Sequence, residues 1–528
     1  MLPFGCGAAP RDEGYGAAGS ATAVTSAGGG DSTDGGAGGS TPGTDDAGDG
    51  SPGSGDSSAG GGAIFDLGSA DDGGGEVPTT CDELDTTETT VGCTFFGVDL
   101  DQAQIFENQQ YAIVVSNVQG AAAAEVVVEQ KQAGAWVTVA GPIDVPALGL
   151  YTFELDNLVQ IGSGIKVGGA YRVRSSVPII AYQFNPLVMG WWSSDASLLY
   201  PLEAWDTLVD VVHGGQGSGK GYISIVAAVD GTQVQVRPST NTTGAGGVPP
   251  GVAGGTFMLA LDEGDVAQIA VAQENASLTG TRIESDQPVA VFTGHECAWI
   301  PHMVSACDHI EDQLSGVRLW GTHFAGSRIP VRETGGTPET SLWQIVASEN
   351  GTTVNFAAHA DVTGLPGAPV MLDAGEFVEY WVGGSFENPG DMMISADKPI
   401  AVANFMTGSG NLVTSTLGDP AIVQLSPVEQ YLPRYIVLVP SEWELDMFVV
   451  TRPAGATIVL DGAAIDDTLF IPIAGGEYEV ARLPTIDGFH TLESESGFMV
   501  EVVGFDSADS YAYLGGTGTG KINPNPEG

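Results

Sequence analysis

Basic residues are what this 528-residue chain has least of: 16 Lys and Arg stand against 66 Asp and Glu, a formal net charge of −50. Only five of the bases are lysines, and no stretch gathers them into a patch. Such a polyanion is repelled by nucleic acid and by anionic lipid, so nucleic-acid binding is excluded as a function. Apolar runs are short: none reaches the eighteen residues a membrane-spanning helix needs. Long segments with 3.6-residue amphipathic spacing are also missing, which argues against a helical fold. G-x-S-x-G, H-E-x-x-H and calcium-loop spacings do not occur. Two Gly-rich stretches, "GGQGSGKG" (214–221) and "GGTGTGKI" (515–522), imitate a phosphate loop. Both lack the Ser or Thr that holds magnesium and the helix that must follow, so both read as plain loops.

Cysteine is scarce, with five in all, and its spacing is informative. Cys81 and Cys93 make one close pair, Cys297 and Cys307 another, and Cys6 is left over. Two local pairs plus an orphan suit disulfides in an oxidising compartment. The first residues, "MLPFGC", resemble the tail of a bacterial lipoprotein signal. That reading expects Cys6 to be lipidated and the true start to lie upstream, with Pro3 standing where such signals carry Leu. Residues 7 to about 78 are Gly, Ala, Ser, Thr and Asp, too poor in apolar surface to offset the entropy of ordering. A disordered tether of about 70 residues reaches roughly 45 Å.

From residue 79 the texture becomes alternating Val, Ile, Thr, Phe and Tyr broken by Gly, Pro, Asn and Asp, the pattern of an all-β protein with many short strands. The segments also repeat. "IVAAVDGTQVQV" (225–236) returns as "IVASENGTTVNF" (345–356), and more loosely at 449–462 and 114–128. Each reads as a β-hairpin. "SSVPIIAYQF", "SDQPVAVFTG" and "ADKPIAVANF" follow, placing Pro178, Pro288 and Pro399 at an even interval. These prolines are expected at strand starts, in edge positions. Connectors ending at Trp205, Trp320 and Tyr431 keep nearly the same interval. The expected organisation is an N-terminal tether (1–78) and a repeat region (79–515). Within it lie a weak repeat (108–190), three clear ones (191–300, 301–410, 411–510) and then a short tail (516–528). Units of about 110 residues fit tandem β-sandwiches, with a propeller-like ring of two blades per repeat as the alternative.

Candidate chemistry concentrates in "GHECAWIPHMVSACDHIEDQL" (294–314) and His323 just beyond it. His295, His302, His309 and His323 with Cys297 and Cys307 have zinc-ligand chemistry, which would centre a metal-dependent hydrolase here. A catalytic thiol would need one of these cysteines free beside a His. A disulfide between the two cysteines needs nothing special and stabilises by about 2–3 kcal/mol, so it is the preferred reading. Asp99 and Asp101 with "CDELDTTETT" offer clustered oxygens that suit calcium, although acidic clusters on so anionic a chain are commonly just solvated. No other cofactor is indicated. Trp191 and Trp192 are candidates for stacking on a sugar or a partner, or for ordinary packing.

The element from Gly294 to His309 (G-H-x-C…A-C-D-H) is joined by the hairpin "SENGTTVNF", the Pro-containing strands and "DASLLYPLEAW". Together they resemble the N-terminal domain family of the IgG Fc-binding protein over roughly residues 108–515. The resemblance implies a secreted or cell-surface binding protein without enzymatic activity, and the family also occurs in bacterial surface proteins. It does not carry a ligand over, and no binding residue is assigned from it. The combined expectation is a non-enzymatic extracytoplasmic binding or adhesion protein. It would take a protein or glycan ligand outside the cell and touch membrane only through a lipid at Cys6. The other readings are the metal-dependent hydrolase and a self-associating surface coat.

Overall fold

The computed structural model describes residues 78–86, 88–187 and 193–526, and all of these fall within one compact unit. Nearly every regular element is a strand, and the helical ones are short 3-10 turns. Period-two alternation sets the faces. Thr232–Arg237 buries Thr232, Val234 and Val236 while exposing Gln233 and Arg237. The repeated connectors are 3-10 turns, Leu202–Ala204, Val317–Leu319 and Val428–Gln430. Two are pinned alike: the indole of Trp205 donates to Tyr200 O (3.1 Å) and that of Trp320 to Ser315 O (3.3 Å).

Four repeats span 92–199, 206–313, 321–424 and 432–514. Each is built around one long strand: Tyr171–Asn185, Arg282–Ala298, Met392–Phe405 and Gly488–Asp506. In the second repeat, residues 282–285 of the long strand pair with Asp206–Asp210 and Thr232–Arg237. From Val289 onward it pairs instead with Gly221–Ala227, and from Phe292 with Asp308–Gln313. The other three repeats follow the same scheme. One bent strand thus serves both layers of a β-sandwich, so each repeat is a sandwich.

Two expectations need correction. Pro178, Pro288 and Pro399 lie inside the long strands, not at strand starts. They occupy the bend where ladder partners change and no N–H is required, a place proline tolerates. The repeated "hairpin" is also not one. Gly221–Ala227 pairs with Val266–Ala270 and the long strand, and Thr232–Arg237 with Phe257–Leu261 and the long strand. Both hydrogen-bonding edges of each strand are therefore filled, and the turn at Gly231 (φ 79°) carries the chain across the sandwich.

The repeats close into a ring, one sandwich per repeat. Their last strands, Asp195–Leu199, Asp308–Gln313, Ile422–Gln424 and Asp509–Leu514, lie innermost, each against the next and the fourth against the first. At the closing seam Thr89 bridges Gly518, and Thr90 N–H donates to Thr517 O (3.1 Å). Tyr182 packs on Tyr513 with ring centroids 4.8 Å apart, and Phe184 on Trp443, Tyr511 and Tyr513 at 6.1–6.2 Å. Apolar clusters run across repeat boundaries: Tyr222 and Phe292 join the core of the first repeat, and Ala403 and Phe405 that of the second.

An inner strand bonds its own long strand along one edge, which leaves the other edge open and prone to pairing with other chains. Here the neighbour's side chains close it. The N–H groups of His309, Glu311 and Gln313 donate to Ser193 Oγ (2.9 Å), Asp195 Oδ2 (3.0 Å) and Ser197 Oγ (2.8 Å). The acceptors alternate because side chains on one face of a strand recur every second residue. Gln424 N–H likewise donates to Asp312 Oδ2 (2.9 Å), and Asp419 N–H to Ser510 Oγ (2.7 Å).

Candidate binding face

The chain turns from the long strand into the inner strand through residues 299–307, 406–421 and 507–508, and in the first repeat residues 186–187 and 193–194 flank the corresponding connection. These turns touch one another around the ring. Gly408 N–H donates to Ile300 O (2.6 Å), Gly418 N–H to Asp506 O (2.8 Å) and Ala508 N–H to Thr416 O (3.0 Å). Ser194 donates through both N–H and Oγ to Asp509 Oδ1. Together they build one face at one end of the ring.

The "GHECAWIPHMVSACDH" element is the turn of the second repeat. Cys297 and Cys307 are bonded (S–S 2.03 Å), as are Cys81 and Cys93 (1.97 Å). The thiolates that a zinc site or a catalytic cysteine would need are thus consumed. Gly217 runs alongside, its N–H taken by Asn275 Oδ1, while Ser218 N–H donates to Cys297 O (2.8 Å). At the tip, Trp299 lies 5.8 Å from the His302 ring, and Met303 is 73% exposed. In the next turn Val413 is 91% exposed, and its neighbour Thr414 is held by Glu333.

The four histidines proposed for a metal centre are not brought together. His295 and His309 are fully buried, whereas His302 is exposed on the tip. His323 is exposed in the third repeat, beside Thr322 (2.9 Å) and Glu429 (3.4 Å). His295 Nδ1 accepts from Cys297 N–H (3.0 Å), which puts the proton on an unpartnered Nε2. His213, which sequence reasoning missed, stands 6.3 Å from His295 ring to ring and contacts Gly294 O through Nε2 (3.2 Å). Burial pushes His213 and His309 down to about 4 and His295 well below its ordinary value. All three are therefore neutral at physiological pH and serve as packed core groups. Nothing in the sequence around His213 marked it, because its partners come from the long strand, far along the chain. Among the described residues, as their side chains stand, no group of three or more His, Cys, Asp or Glu is placed to hold a metal ion.

Asp99 and Asp101 serve the fold instead of calcium. Asp99 Oδ2 accepts from Leu158 N–H (2.7 Å). Asp101 Oδ2 accepts from Gly162 N–H (2.6 Å) and Gln268 Nε2 (2.7 Å), which ties the first repeat to the second. Burial raises them to about 7 and about 6. Cys6, Trp191 and Trp192 lie outside the described residues. None of the described helices is long and apolar enough to cross a membrane.

The face thus offers exposed Met303, Val413 and His302 beside a half-buried Trp299, on mutually bonded turns of which one is pinned by a disulfide, an arrangement suited to contact with a partner surface. A family model described as IgGFc binding protein matches residues 195–504. The chain is also 28% identical over 338 residues to IgGFc-binding protein of Homo sapiens, an alignment covering 63% of this chain and 6% of the human protein. The chain therefore corresponds to a small part of that relative's length.

Proposed function

The chain belongs to the IgGFc-binding protein family, and from that premise we propose that it acts outside the cell by binding, not by catalysis, with the turn face of the ring as its contact surface. The observation that carries this reading is the disulfide-pinned turn with Trp299, His302 and Met303 at its tip, bonded to the neighbouring turn that exposes Val413. A rigid face loses little entropy on association, and apolar tips ringed by polar groups supply the contact energy. Two disulfides and a charge of −50 suit an oxidising, open medium. We place the protein on a bacterial surface, held by a lipid on Cys6 and a Gly/Ser/Asp-rich tether, as its first 78 residues suggest. The ligand is a protein, and adhesion is the use such a tethered face serves.

The human relative's name points to immunoglobulin Fc as the first probe. Purified Fc fragment is passed over the immobilised full chain and over a variant carrying His302→Ala, Met303→Ser and Val413→Ser. Binding that falls at least about tenfold in the variant supports the face. Binding that is equal in both places the contact elsewhere. No binding at about 100 µM Fc, which corresponds to less than about 5–6 kcal/mol of association energy, excludes Fc as the ligand.

A further inference from the structure

Each repeat buries one aspartate where its turn meets its inner strand, at the first strand residue for Asp195, Asp308 and Asp509 and three residues before the strand for Asp419. All four are buried. Asp195 Oδ1 accepts from Ala196 and Ala512 N–H (2.9 and 3.2 Å) and its Oδ2 from Glu311 N–H (3.0 Å). Asp509 Oδ1 accepts from Ser194 N–H (3.2 Å) and Oγ (2.7 Å). Asp419 Oδ1 accepts from Ser409 N–H (2.8 Å), but its Oδ2 has no partner. Asp308 is fully enclosed, and neither of its oxygens has one. An unmade hydrogen bond at a buried carboxylate is costly, and the fold leaves two on the same side chain.

The charges that Asp308 feels most are Asp509, then Asp419, then Asp195. Among the described residues no protein cation offsets them. Arg332 is felt by Asp419, but its guanidinium is spent on Glu339 (3.4 Å), Thr407 O (2.7 Å) and Leu417 O (3.1 Å). His309, next in sequence, is neutral through burial.

We propose that this cluster of aspartates is a binding site for one hard divalent cation of the calcium class, with Asp308 and Asp509 as principal ligands and Asp419 Oδ2 as a third. The free donors are carboxylate oxygens, which suit calcium, magnesium and manganese. They come from separate strands without octahedral order, and calcium tolerates that while magnesium does not. As the side chains stand, no three of them converge on one point, so binding turns Asp308 and Asp509 toward each other. Seated there, the cation ties the inner ends of all four turns and stiffens the face they build. The site does not depend on which ligand that face takes.

The experiment is calorimetric titration of calcium chloride into the EDTA-stripped full chain, with thermal melts in calcium and in EDTA. One saturable site per chain is expected above the weak, diffuse binding of a −50 polyanion. Asp308→Asn should weaken it at least about tenfold, while Glu495→Gln on the surface leaves it unchanged. Removing an unpaired buried charge favours folding of Asp308→Asn, and Asp509→Asn is the second variant should it fail. The absence of a saturable site in the wild-type chain, or equal affinity in Asp308→Asn, overturns the proposal. Protons alone then neutralise the cluster, and melts in calcium and in EDTA coincide.

Discussion

Closing the ring brings the first repeat against the last, and that contact can be weighed. Phe184 is fully buried, with its ring 6.1 Å from Trp443 and from Tyr513 of the fourth repeat. Truncating a buried Phe costs about 3–5 kcal/mol through lost transfer energy and the cavity left behind. Trp443→Ala carries a similar cost, since that side chain is 5% exposed and packs on Tyr511 at 4.5 Å. The decisive quantity is the coupling. Aromatic pairs in contact contribute about 0.5–1.5 kcal/mol beyond their burial, so the double variant should be destabilised by about 1 kcal/mol less than the sum of the singles. Urea unfolding followed by circular dichroism, across wild type, Phe184→Ala, Trp443→Ala and the pair, measures it. In a rod of sandwiches the first and fourth repeats never meet and the coupling vanishes. A value below about 0.3 kcal/mol would refute the closed seam.

Three further outcomes are expected. Cys81, Cys93, Cys297 and Cys307 should resist alkylation in denaturant until reductant is added. The Cys297→Ser, Cys307→Ser variant should lose about 2–3 kcal/mol in urea titration, since the pair closes a short loop. Burial raises Asp312 and Glu501 to about 8 and Asp99, Glu296 and Asp446 to about 7. Each folded-state value lies above its unfolded one, so the native state holds more protons. The stability these groups contribute is complete below the ordinary carboxylate range near 4 and is lost as pH rises to about 8. Melting temperature in EDTA should fall across that window, and a rise would contradict the burial. Gly217→Ala would set a Cβ 2.0 Å from Cys297 O and 2.2 Å from His295 Cε1. Because the first of these is backbone, it should cost about 2 kcal/mol by the same titration.

Much of the architecture was legible without coordinates, and the misses have identifiable causes. Val234 and Val236 alternate with polar neighbours, so their strand announced itself, and the even spacing of Pro178, Pro288 and Pro399 announced the repeats. The turn at Gly231 looked like a hairpin because arch and hairpin share one local grammar. Only the long strand's claim on an edge of both neighbours separates them. Five of the six residues of "DHIEDQ" are polar, yet all six are buried. The alternation in "SSDAS" (193–197), with Ser, Asp and Ser on one face, was the available signal for a buried polar strand.

The sequence by itself determined the all-β character, the number and period of the repeats and the cysteine partners. Each of these follows from local chemistry: side-chain alternation, turn residues, and thiols 12 and 10 positions apart. Tertiary structure alone decided that the repeats form a ring, that one aspartate from each repeat is buried within electrostatic reach of Asp308 or is Asp308 itself, and that His213 joins His295 while His302 and His323 stay outside. Those outcomes depend on where the end of one repeat lands against another. Strand pattern sets which face of an element is buried, but not which distant surface covers it, and in a ring the last surface to be covered belongs to the first repeat.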